Sequence, residues 1–191
     1  MKPLIPLLAL LLALTPLSVV VAQAPPNEAE RKVFLDFRAR AEKGDAGAQV
    51  TLGRFYSMGQ GVEKDDAAAV PWYRKAAEQN HPGAQFWLGS VYFNGRGVPK
   101  DMVEGAKWWL KAAEQNDTGG QYNIGMAYAN GLGVPKDLVK SHAWCTVSAA
   151  NNKPTTAILA KIEKQMTPEQ LAEAARLARE ITERLAKLKK N

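Results

Sequence analysis

Residues 84–101 read Ala84-Gln85-Phe86-Trp87-Leu88-Gly89-Ser90-Val91-Tyr92-Phe93-Asn94-Gly95-Arg96-Gly97-Val98-Pro99-Lys100-Asp101. Ala84, Leu88, Val91 and Tyr92 stand at steps of four, seven and eight, which is one apolar stripe of a helix. Gly95 and Gly97 break that helix, and Asp101 opens another by accepting a bond from a free backbone N–H of the first turn. The second helix carries Gly105, Trp108, Trp109, Ala112 and Ala113 on its inner side. Asn116 closes it, because Asn is the residue that most readily follows Gly into the left-handed conformation used at helix ends. The stretch specifies a helix–loop–helix.

The same design occurs three times. Residues 46–81, 82–117 and 118–153 align without a gap at a period of 36. Gln49, Gln85 and Gln121 coincide, as do Gly53, Gly89 and Gly125, then Tyr56, Tyr92 and Tyr128. The loop pairs Gly59/Gly61, Gly95/Gly97 and Gly131/Gly133 follow, with Asp65, Asp101 and Asp137 and then Trp72, Trp108 and Trp144. Self-similarity at this period marks a helical array whose units bury their apolar faces only against neighbours. The pattern predicts helices over 46–58, 65–79, 82–94, 101–115, 118–130 and 137–150, with Asn80, Asn116 and Asn152 ending the units.

Two features are specific to this array. Gly53, Gly89 and Gly125 lie mid-helix, where glycine costs about 1 kcal/mol relative to Ala. Its recurrence predicts a bulky neighbour, an aromatic ring, pressed against the backbone. Pro71 falls inside a second helix where the other units have Lys107 and Ala143, which predicts a local kink.

The period extends beyond the repeats. Arg40-Ala41-Glu42-Lys43-Gly44 stands 36 residues before Ala76-Ala77-Glu78-Gln79-Asn80, so 28–43 is expected to be a lone second helix capping the array. A short helix is expected over 154–165. Thr167-Pro168-Glu169-Gln170 then forms a capping box and opens a helix over 168–189. Its stripe of Leu171, Ala174, Ala178, Ile181, Leu185 and Leu188 is expected to fold back on the third unit. A coiled-coil dimer and a membrane-surface helix are the rival uses of that stripe.

Residues 1–22 read as a signal peptide. Lys2 precedes an apolar run from Leu4 to Val21, and the small residues Ala22-Gln23-Ala24 follow. A membrane anchor is the alternative, but Pro6 and Pro16 interrupt the run and no basic stop-transfer cluster follows. Cleavage after Ala22 avoids the proline that would follow a cut after Ala24. The expected organisation is therefore signal peptide 1–22, linker and capping helix 23–45, three repeats 46–153 and C-terminal helices 154–191. The expected location is exported, to a bacterial periplasm or the medium, without stable membrane insertion after cleavage.

Ala84-Gln85, Leu88-Gly89, Tyr92, Gly95, Gly97-Val98-Pro99, Asp101, Trp108 and Ala112-Ala113 together resemble the Sel-one-like repeat, a relative of the tetratricopeptide repeat. The first unit departs from the pattern at Pro71, and the third has Gly120, Ile124 and Ser148 in place of Ala, Leu and Ala. The resemblance implies an all-α, right-handed α-solenoid of helix–turn–helix repeats with N- and C-terminal capping helices. It also implies an adaptor, and exported bacterial members resemble regulators of envelope proteins or factors that meet host proteins.

Composition narrows the chemistry. With one cysteine and two histidines in 191 residues, a disulfide framework and a Cys-cluster metal site are excluded, and no cofactor is expected. Charged residues make up 23% and apolar ones 46%, which a folded core needs and a disordered chain lacks. The formal charge of +6 sits mostly in the tail: residues 153–191 hold nine Lys+Arg and five Asp+Glu, whereas 23–152 hold fifteen and fourteen. A nearly neutral array argues against nucleic acid. The paired loop glycines lack the third glycine and the strand–turn–helix setting of a dinucleotide site. His142 and Cys145, three apart, could share a helical face as a thiol–imidazole pair, but Cys145 occupies the core slot of Tyr73 and Trp109.

What remains is a binding face. Trp87 stands where the family pattern usually has Asn, as at Asn123, and Thr51 fills that slot in the first unit. An aromatic where the fold requires none is a candidate anchor for a protein or peptide. Arg54 and Tyr122 are weaker neighbours, Tyr122 sharing a slot with Val50 and Phe86. The expected function is a non-enzymatic protein- or peptide-binding adaptor of the cell envelope, monomeric or dimeric through the C-terminal helix. The alternatives are a cell-wall-active hydrolase and a coiled-coil scaffold.

Overall fold

The computed structural model describes residues 27–151 and 153–188. Among them it contains nine helices and no strand: α1 (Glu28–Glu42), α2 (Ala46–Met58), α3 (Asp66–Glu78), α4 (Pro82–Asn94), α5 (Met102–Glu114), α6 (Thr118–Asn130), α7 (Leu138–Ala150), α8 (Thr156–Glu163) and α9 (Pro168–Leu188). The segment read as a signal peptide, Asn152 and the last residue of the 168–189 helix lie outside the described residues. Helices pack in chain order, α2 on α3, α4 on α5 and α6 on α7, with α3 on α4 and α5 on α6 joining the units. The result is an α-solenoid.

Each boundary has a local cause. The carboxylates of Asp65, Asp101 and Asp137 accept the backbone N–H of Ala68, Glu104 and Lys140, so these residues cap the second helices from outside. A second set of caps opens the first helices: Asp45 and Asp117 accept from Ala48 and Gly120, and His81 Nδ1 accepts from Ala84. The left-handed Asn80 and Asn116, at φ 63° and 68°, end the first two units as their spacing predicts. Gly97 is left-handed too, and a Cβ there would meet the Asp66 carbonyl at 2.5 Å. That loop is thus pinned to the first turn of the preceding second helix, as Gly61 is to Glu30 and Gly133 to Met102.

The mid-helix glycines have the neighbours their cost implies in two units of three. A Cβ on Gly53 would lie 2.6 Å from the Tyr73 ring, and one on Gly89 would lie 2.6 Å from the Trp109 ring. In the third unit the expected ring is replaced by sulfur: Cys145 Sγ would be 2.8 Å from a Cβ on Gly125. α3 continues as one helix through Pro71, which lies on its exposed side. The carbonyl that Pro71 leaves unbonded belongs to Ala67, which is also exposed and open to water.

The recurring glutamines turn out to be staples between units. Gln49 is buried; its Nε2 donates to Ala41 O at 3.1 Å and its Oε1 accepts from Gln79 at 2.8 Å. Gln85 is bonded likewise to Asn80 and Gln115, and Gln121 to Asn116 and Asn151. Each buried amide therefore finds partners at the end of the preceding unit's second helix and at the end of its own.

Both ends are closed. α1 buries Phe34 and Ala41 against Ala48 and Leu52, with Phe37 edge-on to Phe55. α9 packs on α7 and buries Ala174, Ala178, Ile181 and Leu185, the last three joining Trp144 and Val147 in one core. Its stripe serves the fold-back that its spacing predicts. α8 is shorter than 154–165 because Thr155 is buried ahead of it, donating its hydroxyl to Cys145 O at 3.2 Å.

Candidate functional site

The two helices of each unit differ in charge. α2, α4 and α6 together contain a single charged residue, Arg54, and no Asp, Glu or Lys. α3, α5 and α7 carry Asp66, Arg74, Lys75, Glu78, Glu104, Lys107, Lys111, Glu114 and Lys140. The first helices touch one another across units through aromatic side chains. Arg54 of α2 reaches Trp87 of α4, and a Cβ on Gly119 of α6 would lie 2.7 Å from the Phe86 ring of α4.

Trp87 and Arg54 form the centre of this face. Trp87 is half-buried and stacks on Tyr73 with ring centroids 6.1 Å apart and planes 12° from parallel. Phe86 meets its edge at 5.2 Å. The guanidinium of Arg54 lies 5.9 Å from the indole centroid, within cation–π range, and Arg54 is exposed. Among the described residues Arg54 has no carboxylate within ion-pair distance. Beneath it the Tyr73 and Ser57 hydroxyls share a bond of 3.3 Å. Burial pushes the Tyr73 phenol up from its ordinary pKa, while the Ser57 bond and the Arg54 charge pull it back.

The other predicted site residues fall into separate surroundings. Thr51 is half-buried and gives its hydroxyl to Gly47 O of its own helix at 3.0 Å. Tyr122 and Asn123 are half-buried one unit further along, where Lys153 stands 5.8 Å from the Tyr122 centroid. The structure thus joins Arg54 to Trp87 and sets Thr51, Tyr122 and Asn123 apart from that contact. Ser57 and Tyr73 are participants that the repeat phase alone did not single out, since Tyr73 sits in a core slot and Ser57 in an ordinary one. The second-helix tryptophans Trp72 and Trp108 are covered instead by a lysine of their own helix, Lys75 at 4.6 Å and Lys111 at 4.1 Å.

The thiol–imidazole pair does not assemble. Cys145 is buried with its sulfur toward Gly125, and burial raises its thiol pKa to about 11. His142 turns to Glu163 of α8 at 3.0 Å and to Thr146 at 3.4 Å. Among the described residues no three His, Cys, Asp or Glu side chains cluster as a metal site would need, and no helix is long and apolar enough to cross a membrane.

Comparison with known proteins agrees with this architecture. The family model described as Sel1 repeat matches residues 46–81, 82–117 and 119–153. A crystal structure of a protective antigen present in uropathogenic Escherichia coli strains, displaying an SLR fold, is similar at 30% identity and a TM-score of 0.59. It covers 83% of this chain and 43% of its own. A Sel1 repeat protein from Oxalobacter formigenes is similar at 32% identity and a TM-score of 0.56, over 63% of this chain and 55% of that one. This chain therefore spans about half the length of those two structures. No curated protein matches it. Sel1 repeats generally mediate protein–protein interaction and are typically non-catalytic. With three matched units covering more than half of its length, the chain belongs to the Sel1 repeat family.

Proposed function

We propose that this chain is a non-enzymatic adaptor or regulator of the cell envelope that holds another protein or peptide on the face formed by α2, α4 and α6. The observation that carries the reading is the Arg54–Trp87 pair: an exposed guanidinium, without an ion-pair partner among the described residues, over a half-buried indole on helices that otherwise carry no charge. Trp and Arg are the side chains most often found as interface anchors, because each offers large contact area with a directed polar group. Asn123, Thr51 and Tyr122 extend the same face as contacts of lesser energy. The apolar run and small-residue site at 1–22 support export to the periplasm or the medium, and the likeness to a protective antigen is in keeping with a place outside the cytoplasm. The engagement of the α9 stripe with α7 favours a monomer.

Affinity capture from envelope extract, with wild type beside Trp87→Phe and Trp87→Ala, tests the reading. A partner retained by wild type, weakened by Trp87→Phe and lost by Trp87→Ala is expected. Undiminished capture by Trp87→Ala removes the face from the account. Mass spectrometry of the exported form is expected to show a start near Gln23, and intact Met1 on cytoplasmic protein would reject the location.

A further inference from the structure

The charge pattern of the first-helix face narrows the partner, on the premise that this face is the binding surface. A guanidinium has five donors in a planar fork suited to a carboxylate, and Arg54 is held over an indole with no acid in ion-pair distance among the described residues. Stacking on Trp87 fixes the fork at little further entropic cost on binding. The flanks argue as strongly as the centre. Along α4 and α6 the exposed and half-buried positions include Ser90, Asn94, Asn123, Met126 and Asn130, and none of these positions is charged. Asn94 and Asn130 bend back to bond the carbonyls of Ser90 and Met126 at 2.8 Å, leaving their own carbonyl oxygens as acceptors. Such flanks suit peptide backbone and uncharged side chains, whereas a second charge along α4 would lose water there without gaining a partner from the first helices. Another cation of this face, Lys153, stands beside Tyr122 one unit on.

Nothing in the first helices closes the face at Arg54, since α4 and α6 continue it with the same uncharged surface. A passing segment fits this better than a chain end. We infer that the Arg54–Trp87 pair receives an extended, otherwise uncharged peptide segment through one internal Asp or Glu side chain next to an aromatic or aliphatic residue. The carboxylate bonds the Arg54 fork, and the neighbouring apolar side chain lies against the exposed part of Trp87.

The test is selection of an unbiased phage-displayed dodecapeptide library on the full mature chain, with wild type, Arg54→Glu and Trp87→Phe in parallel. Arg54 is exposed, so its replacement leaves the core intact. The wild-type pool is expected to be enriched about fivefold in a single Asp or Glu adjacent to an aromatic or aliphatic residue, the scale of about 1 kcal/mol for one exposed pair. Arg54→Glu should exchange that acid for Lys or Arg. A synthetic copy of the leading peptide should lose about fivefold in affinity when its acid becomes Asn. A pool without acid enrichment, or acid enrichment unmoved by Arg54→Glu, overturns the inference. So does loss of affinity on amidating the peptide's C-terminus rather than on changing the internal acid. If peptides are selected that depend on Trp87 but show no charge preference, the binding face stands and the carboxylate does not. If no pool emerges on any variant, both fall.

Discussion

In the second unit α4 and α5 cross over Gly89, Gly105 and Trp109; in the third, α6 and α7 cross over Gly125, Ser141 and Cys145. The backbones come closer in the second unit, and what fills the crossing differs as well. A Cβ on Gly89 would meet the Trp109 ring at 2.6 Å and the Gly105 carbonyl at 2.9 Å. Trp109 is held in place by donating its Nε1–H to Ser90 Oγ at 3.2 Å. A Cβ on Gly125 would meet Cys145 Sγ at 2.8 Å and backbone no nearer than 3.3 Å, while Ser141 Oγ donates to Gly125 O at 2.8 Å. The third crossing replaces a ring by a small thiol and a hydroxyl bond. The repeat therefore fixes which positions meet, and leaves open how closely they come and what chemistry occupies the contact.

The largest effect should come from filling the tighter crossing. Gly89→Ala forces either the ring or the backbone of α5 to move, and overpacking of this kind costs about 3 kcal/mol. Gly125→Ala meets chiefly one sulfur and should cost about half as much. Urea unfolding of both variants measures the pair; equal losses would show that the ring is not what distinguishes the two units.

That asymmetry marks how far the sequence could be read. The period, the N-terminal capping helix and the left-handed Asn80 and Asn116 were legible because each repeats a backbone requirement in phase, and α9 was legible from its own capping box and apolar stripe. The glycine–ring contact was legible in two units and failed at Gly125, because the slot requires a close neighbour and not a ring, and the Cys145 thiol is that neighbour in the third unit. The caps Asp45, His81 and Asp117 were not singled out, since a histidine in the middle position hides the acidic pattern. Of the candidate site, Trp87 was visible as a departure from the family pattern. Its contact with Arg54 joins different units, and no single repeat displays that.

The glutamine staples provide a control, because here the two units are chemically alike. Gln85 bridges Asn80 and Gln115, and Gln121 bridges Asn116 and Asn151. Gln85→Leu and Gln121→Leu each remove two such side-chain hydrogen bonds, a loss of about 2 kcal/mol. The expected outcome is a similar fall in thermal midpoint for both. A much smaller fall for Gln121→Leu would mean that α9, rather than the staple, holds the third unit.

The smallest effect is the one that only the third unit can show, because Trp109 does not titrate and Cys145 does. Burial raises the Cys145 thiol from 9.0 to about 11, against a smaller downward pull from its hydrogen bond with Ser141. The folded chain keeps a proton that the unfolded chain releases above pH 9, so the contribution is complete below pH 9 and is lost as pH rises through 11. At pH 10 the loss amounts to about 1 kcal/mol. Tyrosines and lysines titrate in the same range, so the readable quantity is the stability difference between wild type and Cys145→Ala. That difference favours wild type at pH 8 through packing alone, and should shrink by about 1 kcal/mol at pH 10 as the thiol's contribution disappears. A difference that stays constant from pH 8 to pH 10 would show that the sulfur at this crossing is solvated rather than sealed, and the contrast with the tryptophan of the second unit would then be one of size alone.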